Sequence, residues 1–132
     1  MLRHLYHDEA VRLDYDPDHR WLYADWQPRQ DVRKVQLGCA TLLHYAREHG
    51  CHKVLNDNRL VCSLWADAAE WVGTDFLREL SESGVQYIAW VYAQSIYGRL
   101  SINQALAYAQ QPTIRAFDDV EAAAAWLDSC AG

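Results

Sequence analysis

Two short runs carry the side chains best suited to chemistry in this 132-residue chain. In Asn56-Asp57-Asn58-Arg59 an acceptor stands two residues from a fork-shaped donor, a pairing that grips a polar ligand or fastens its own loop. Ala93-Gln94-Ser95 is the second run. Both follow segments that read as strands, and in open α/β sheets ligands sit beyond the carboxyl ends of strands, at a switch in strand order. The plainer reading of Asp57 and Arg59 is a pair that organises a strand-to-helix loop. Asp57 as a general base would need a polar cleft and a strongly shifted pKa, and the sequence displays neither.

Histidines and thiols crowd at His44, His49, Cys51, His52 and Cys62, but at the wrong intervals for a metal. His44 and His49 are five apart, off the four-residue spacing of one helix face, and Cys51 and His52 are adjacent, so on a strand they point opposite ways. No metal or cofactor is expected. Ser63, Ser95 and Ser101 lie outside any G-x-S-x-G elbow, and the six glycines form neither a G-x-G-x-x-G turn nor a P-loop. Ser63 and Ser101 read instead as helix N-caps, and no enzyme activity is expected.

These residues need elements to position them. Val11, Leu13 and Tyr15 alternate with Arg12, Asp14 and Asp16, and Asp16-Pro17-Asp18-His19 reads as a turn into a second alternating strand from Trp21 to Trp26. Beyond Pro28, the residues Val32, Val35, Cys39, Leu42, Leu43 and Ala46 recur at helical spacing, with Gly50 as the stop. A short strand at 53–57 precedes an amphipathic helix at 66–81, which Gly84 ends. Residues 85–92 are nearly continuous in apolar side chains, as expected of a strand covered on both faces. Ser101-Ile102-Asn103-Gln104 fits a capping box for a helix at 101–110, a strand follows at 113–117, and Asp118-Asp119-Val120-Glu121 opens a closing helix. The expected fold is α/β, ordered ββαβαβαβα, with a mixed, mainly parallel sheet in a single domain over 1–132.

Composition narrows the class. Twelve Lys and Arg against 18 Asp and Glu leave a net charge of -6, which argues against a nucleic-acid binder or a polybasic membrane anchor. At 51% hydrophobic and 23% charged residues the chain has the material for a packed core. Four cysteines without a C-x-x-C pair read as reduced thiols of a cytoplasmic protein. The N-terminus turns acidic at Asp8-Glu9 before any signal-like run develops, and the longest apolar run, 87–93, falls far short of the roughly 20 residues that span a bilayer, so no membrane insertion is expected.

Six tryptophans are the unusual feature. Trp26 shares a strand register with Leu22 and Ala24, whereas Trp21 and Tyr23 take the other, so one aromatic face of the hairpin needs a cover from helices or from a partner. That surplus motivates two expectations, a homodimer and a pocket for a small amphipathic or lipid-like ligand walled by Trp90, Tyr92 and Trp71 with Arg59 at its mouth.

The hairpin ending in Trp26, the strand ending in Asn56-Asp57-Asn58-Arg59, the helix containing Trp71, Gly84-Val85-Gln86-Tyr87-Ile88-Ala89-Trp90-Val91, and Phe117-Asp118-Asp119-Val120-Glu121-Ala122 leading to Ala125-Trp126-Leu127 resemble small bacterial STAS-like (SpoIIAA-like) single-domain proteins over nearly the whole chain. The resemblance implies a non-enzymatic α/β domain. Its relatives include anti-sigma-factor antagonists, which bind a kinase partner, and domains related to lipid-carrying CRAL-TRIO proteins. Antagonists carry a phosphorylatable serine directly after an aspartate. Here Asp57 matches the aspartate, Asn58 and Arg59 stand where the serine and its neighbour would be, and the next hydroxyl, Ser63, is the remaining candidate for phosphorylation. The resemblance therefore implies a cytoplasmic regulatory or protein-interaction module. The candidate binding residues are Asp57, Asn58, Arg59, Trp71, Trp90, Gln94 and Ser95, and the alternative is the small-ligand carrier or sensor.

Overall fold

β2 (Val11–Asp16) and β3 (Trp21–Trp26) form the expected hairpin, with Val11 opposite Trp26, Leu13 opposite Ala24 and Tyr15 opposite Leu22 on its core face. Asp16 holds the turn: its carboxylate accepts the N–H groups of Asp18 and His19 and pairs with the His19 ring, while Arg20 takes the positive φ of 61° that closes it. In this computed structural model, residues 2–131 are described; Met1 and Gly132 of the expected 1–132 domain lie outside the described residues.

A strand absent from the expected order, β1 (Arg3–His7), adds antiparallel to the outer edge of β2. Its register slips between His4 and Tyr6, and that irregularity destroys the two-residue alternation by which a strand is recognised. β4 (Lys53–Asp57), β5 (Tyr87–Val91) and β6 (Thr113–Phe117) then join in parallel, giving a six-stranded mixed sheet in the order β1-β2-β3-β4-β5-β6.

Strictly sequential order decides where the helices go. Right-handed crossovers that all step in one direction lay their helices on one face. That face carries α1 (Val32–Glu48), the rod built of α2 (Ala66–Trp71), a π-helical stretch (Val72–Phe76) and α3 (Leu77–Glu82), and α4 (Ile96–Tyr108). Following the last strand, α5 (Val120–Ser129) makes no crossover and packs on the opposite face, against β4, β5 and β6. β5 is therefore covered on both sides, as its apolar run implies. Because the winding never reverses, the parallel strands contain no switch point, which corrects the expectation that a site would lie at one.

Local capping differs from expectation at two serines. α4 begins at Ile96 with Ser95 as its N-cap, the Ser95 Oγ accepting the Tyr97 N–H. Ser101 is fully buried inside that helix, where its hydroxyl donates to the Tyr97 carbonyl and accepts the Trp65 N–H. The first turn of α4 escapes a periodicity reading because its buried face is made of Gly98, Ser101, Ile102 and Ala105. Small residues are required there, since a Cβ on Gly98 would fall 2.8 Å from the Val61 carbonyl oxygen. Ser63 caps no helix: its hydroxyl accepts the Gln30 N–H at 2.7 Å and donates to the Gln30 carbonyl at 3.1 Å, tying its loop to the start of α1. Asp31 is the N-cap of α1, accepting the Lys34 N–H, and Gly50 (φ 58°) ends it as expected.

Among the described residues no helix is long and apolar enough to cross a membrane.

Candidate functional site

β4 divides the polar residues at its carboxyl end between the two faces of the sheet. All five of its residues are buried. Alternation turns Val54 and Asn56 toward α1, and Lys53, Leu55 and Asp57 toward the other side. Lys53 Nζ donates to the Leu127 and Cys130 carbonyls, satisfying and neutralising the carboxyl end of α5.

On the α5 face, Asp57 is 0% exposed and surrounded by donors. The Tyr23 hydroxyl donates to it at 2.5 Å, the Arg59 backbone N–H at 3.0 Å, and the Arg59 guanidinium through Nε at 3.1 Å and through its terminal nitrogen at 2.9 Å. Arg59 and Asp57 thus form a fork-shaped pair that also closes the turn after β4. Hydrogen bonding to Asp57 raises the Arg59 pKa above its usual value. Burial, then the Asp57 carboxylate, pushes the Tyr23 hydroxyl far up. Asp25 lies beside Asp57 across the β3–β4 ladder, and burial followed by the charge of Asp57 raises its pKa. A carboxylate this fully engaged by the chain's own donors holds a loop and a strand pair together.

On the opposite face lies a narrow chamber of about 20 Å³ between the sheet, α1 and the α2–π rod. Trp26, Trp65, Trp90 and Phe76 supply aromatic walls, and Gln30, Asn56 and Asn58 the polar ones. Trp26 Nε1 donates to Asn56 Oδ1 at 2.6 Å. Four other buried side-chain atoms find no hydrogen-bond partner among the described residues: Gln30 Oε1, Asn58 Oδ1, Trp65 Nε1 and Trp90 Nε1. Every one belongs to a residue lining this chamber. Each such atom costs about 1–3 kcal/mol when left unbonded. The Gln30 amide is not ambiguous in orientation, because its Nε2 donates to the Ala10 and Gln27 carbonyls, leaving Oε1 for the chamber. Cys39 also lines the wall, and burial pushes its thiol well up, keeping it neutral. The chamber wall contains no charged side chain.

A third feature rims the same end of the sheet. Leu60, Leu64, Ile96, Tyr97 and Leu100 are each half exposed or more, at 50–67%. They lie on two segments laced together: the Gln94 N–H donates to the Arg59 carbonyl, and the Trp65 N–H to Ser101 Oγ.

The seven expected binding residues are thereby distributed. Asp57 and Arg59 form the paired cluster, and Asn58 and Trp90 line the chamber. Gln94 is exposed and Ser95 caps α4, both on the rim. Trp71 stacks on Phe76 with ring centres 6.2 Å apart and does not line the chamber. Tyr92 reaches Asn103 on α4 and sits under Arg99. Trp90, Tyr92, Trp71 and Arg59 therefore do not wall one pocket, and about 20 Å³ leaves no room for an acyl chain. Tyr23, Asp25, Gln30, Trp65 and the apolar rim went unmarked in the sequence. The one available signal was Asn56 and Asn58, two amides two residues apart at the end of a buried strand and just past it. Of the histidine and cysteine group, His44 pairs with Glu48, His49 stacks on Tyr15 and His52 meets the Gly84 carbonyl. Among the described residues no three His, Cys, Asp or Glu side chains gather as a metal site requires.

Compared with protein-family profiles, curated proteins and solved structures, the chain gives no match.

Proposed function

We propose that this chain is a non-catalytic STAS-like regulatory domain that works by docking a protein partner, a second copy included, on the apolar rim at the carboxyl end of its sheet. The observation that carries this reading is the exposure of Leu60, Leu64, Ile96, Tyr97 and Leu100 on two adjoining segments, since large apolar side chains clustered in solvent mark contact surfaces. Two further features support it. The candidate residues Asp57, Asn58 and Arg59 lead directly into Leu60 and Leu64, and the Asp57–Arg59 pair gives that loop a fixed shape to present. Asn58 and Arg59 stand where an antagonist's serine would be, so docking here does not depend on phosphorylation of that turn, and Ser63 is engaged with the Gln30 backbone.

Sedimentation velocity of the full chain, with Leu60→Glu/Ile96→Glu as its control, tests the surface. A micromolar dimer that becomes monomeric in the double variant makes the partner a second copy. A monomer in both directs the same pair of baits to affinity capture, where a protein retained by wild type and released by the variant supports the rim. Any partner held equally by both baits removes this surface from the reading.

A further inference from the structure

α4 differs from the other helices in what it shows to solvent. Beyond the rim residues Ile96, Tyr97 and Leu100, its exposed positions are Asn103, Gln104, Ala107 and Tyr108, and the three- and four-residue intervals put all of them on one face. None is charged. By contrast α1 exposes Arg33, Arg47 and Glu48, the rod exposes Asp67, Glu70 and Arg78, and α5 exposes Glu121 and Asp128. The single charged residue of α4, Arg99, is turned aside, stacked over the Tyr92 ring at 4.2 Å and paired with Asp118. A helix without charge on either face is one that is ordinarily covered on both.

Three observations select a second copy of this chain as the cover. Copies that each carry a net charge of -6 repel one another, and an uncharged face is where they approach at least cost. Across a two-fold axis a carboxylate or an ammonium meets its own kind, whereas an amide both donates and accepts and so pairs with its symmetry mate. Gln104 is such a residue on the exposed face. The third observation is a groove of about 310 Å³ at the far end of the helix, lined by Tyr108, Gln110 and Gln111 and by Gly73, Thr74 and Arg78 of the rod. Gln104 stands seven residues after Tyr97 and seven before Gln111. Antiparallel helices crossing at Gln104 therefore set Leu100 against Tyr108 of the second copy and bring Tyr97, 55% exposed, to its groove, each contact occurring twice.

We propose that the uncharged face of α4 is a homodimer interface, with two copies of α4 packed antiparallel across a two-fold axis at Gln104. This rests on the reading of the rim as a docking surface, names its occupant, and extends the contact along the whole helix.

Sedimentation velocity of the full chain, from micromolar to near-millimolar concentration, is the test. Wild type is expected to dimerise. Gln104→Glu and Gln104→Lys, at an exposed position, each set like charges face to face and are expected to weaken the dimer about a hundredfold. An equal mixture of the two is expected to restore it as a heterodimer, which only a residue facing its own symmetry mate allows. Tyr108→Glu, outside the rim, is expected to break the dimer as well. A monomeric wild type, a dimer that tolerates both Gln104 variants, or charged variants that stay apart when mixed would each overturn the proposal. A dimer lost in Leu60→Glu/Ile96→Glu but kept in Gln104→Glu overturns this interface and leaves the rim reading standing. The reverse pattern supports the α4 interface and removes the rim.

Discussion

Asp57 and Asn58 are neighbours in the chain, yet they face opposite sides of the sheet and belong to groups built on opposite plans. Around Asp57 every polar group is charged or hydrogen-bonded to a charge, and Tyr23 and Arg59 satisfy the carboxylate completely. Around Asn58 every polar group is neutral, and four of the atoms are left without partners. The difference follows from the cost of burial. An unpaired buried charge is too expensive to keep, so a charged cluster survives only when closed, whereas a neutral amide or indole can stay unbonded for about 1–3 kcal/mol. The charged cluster, which attracts attention first in the sequence, therefore does structural work.

The largest expected effect comes from opening the closed cluster. Arg59→Met leaves the Asp57 carboxylate, whose side chain is 1% exposed, with only Tyr23 and a backbone N–H. Denaturant unfolding should lose about 2–3 kcal/mol. On the other face, Asn58→Leu should change the unfolding free energy by less than about 1 kcal/mol, because the lost oxygen has no protein partner. A loss there as large as that of Arg59→Met would break the contrast.

A pH series sharpens it further. Burial and the neighbouring Asp57 charge raise the Asp25 pKa from 3.8, so the folded chain keeps this proton to higher pH than the unfolded chain does. Stability therefore falls as pH rises through the interval between 3.8 and the raised value, and Asp25 is a liability above it. Asp25→Asn should stabilise the protein at neutral pH by about 0.5 kcal/mol, the scale of a partly solvated charge interaction, with the gain vanishing below 3.8. Thermal melts of both proteins across pH check the sign. The smallest stability effect belongs to the rim, where Leu60→Glu/Ile96→Glu should stay within about 0.5 kcal/mol of wild type while abolishing docking.

Much of this was legible because it is local. The β2–β3 hairpin, α1 with its Gly50 stop, and the pairing of Asp57 with Arg59 each depend on residues close in sequence, whose period or turn chemistry declares them. β1 was hidden by its register slip, and the start of α4 by a buried face made of small residues. Ser101 carried a capping signature but sits mid-helix, because the Trp65 N–H needed a partner inside the core and Ser95 was available to cap.

The amino-acid sequence by itself determined the α/β class, the strands β4 and β5 with the apolar run of the latter, and the closeness of Asp57 to Arg59. Only the tertiary structure decided that Gln30, Asn58, Trp65 and Trp90 share a chamber. Whether a buried polar atom is bonded depends on what the crossovers bring against it, and a chain that winds in one direction packs three helical rods on a single face, where groups distant in sequence converge.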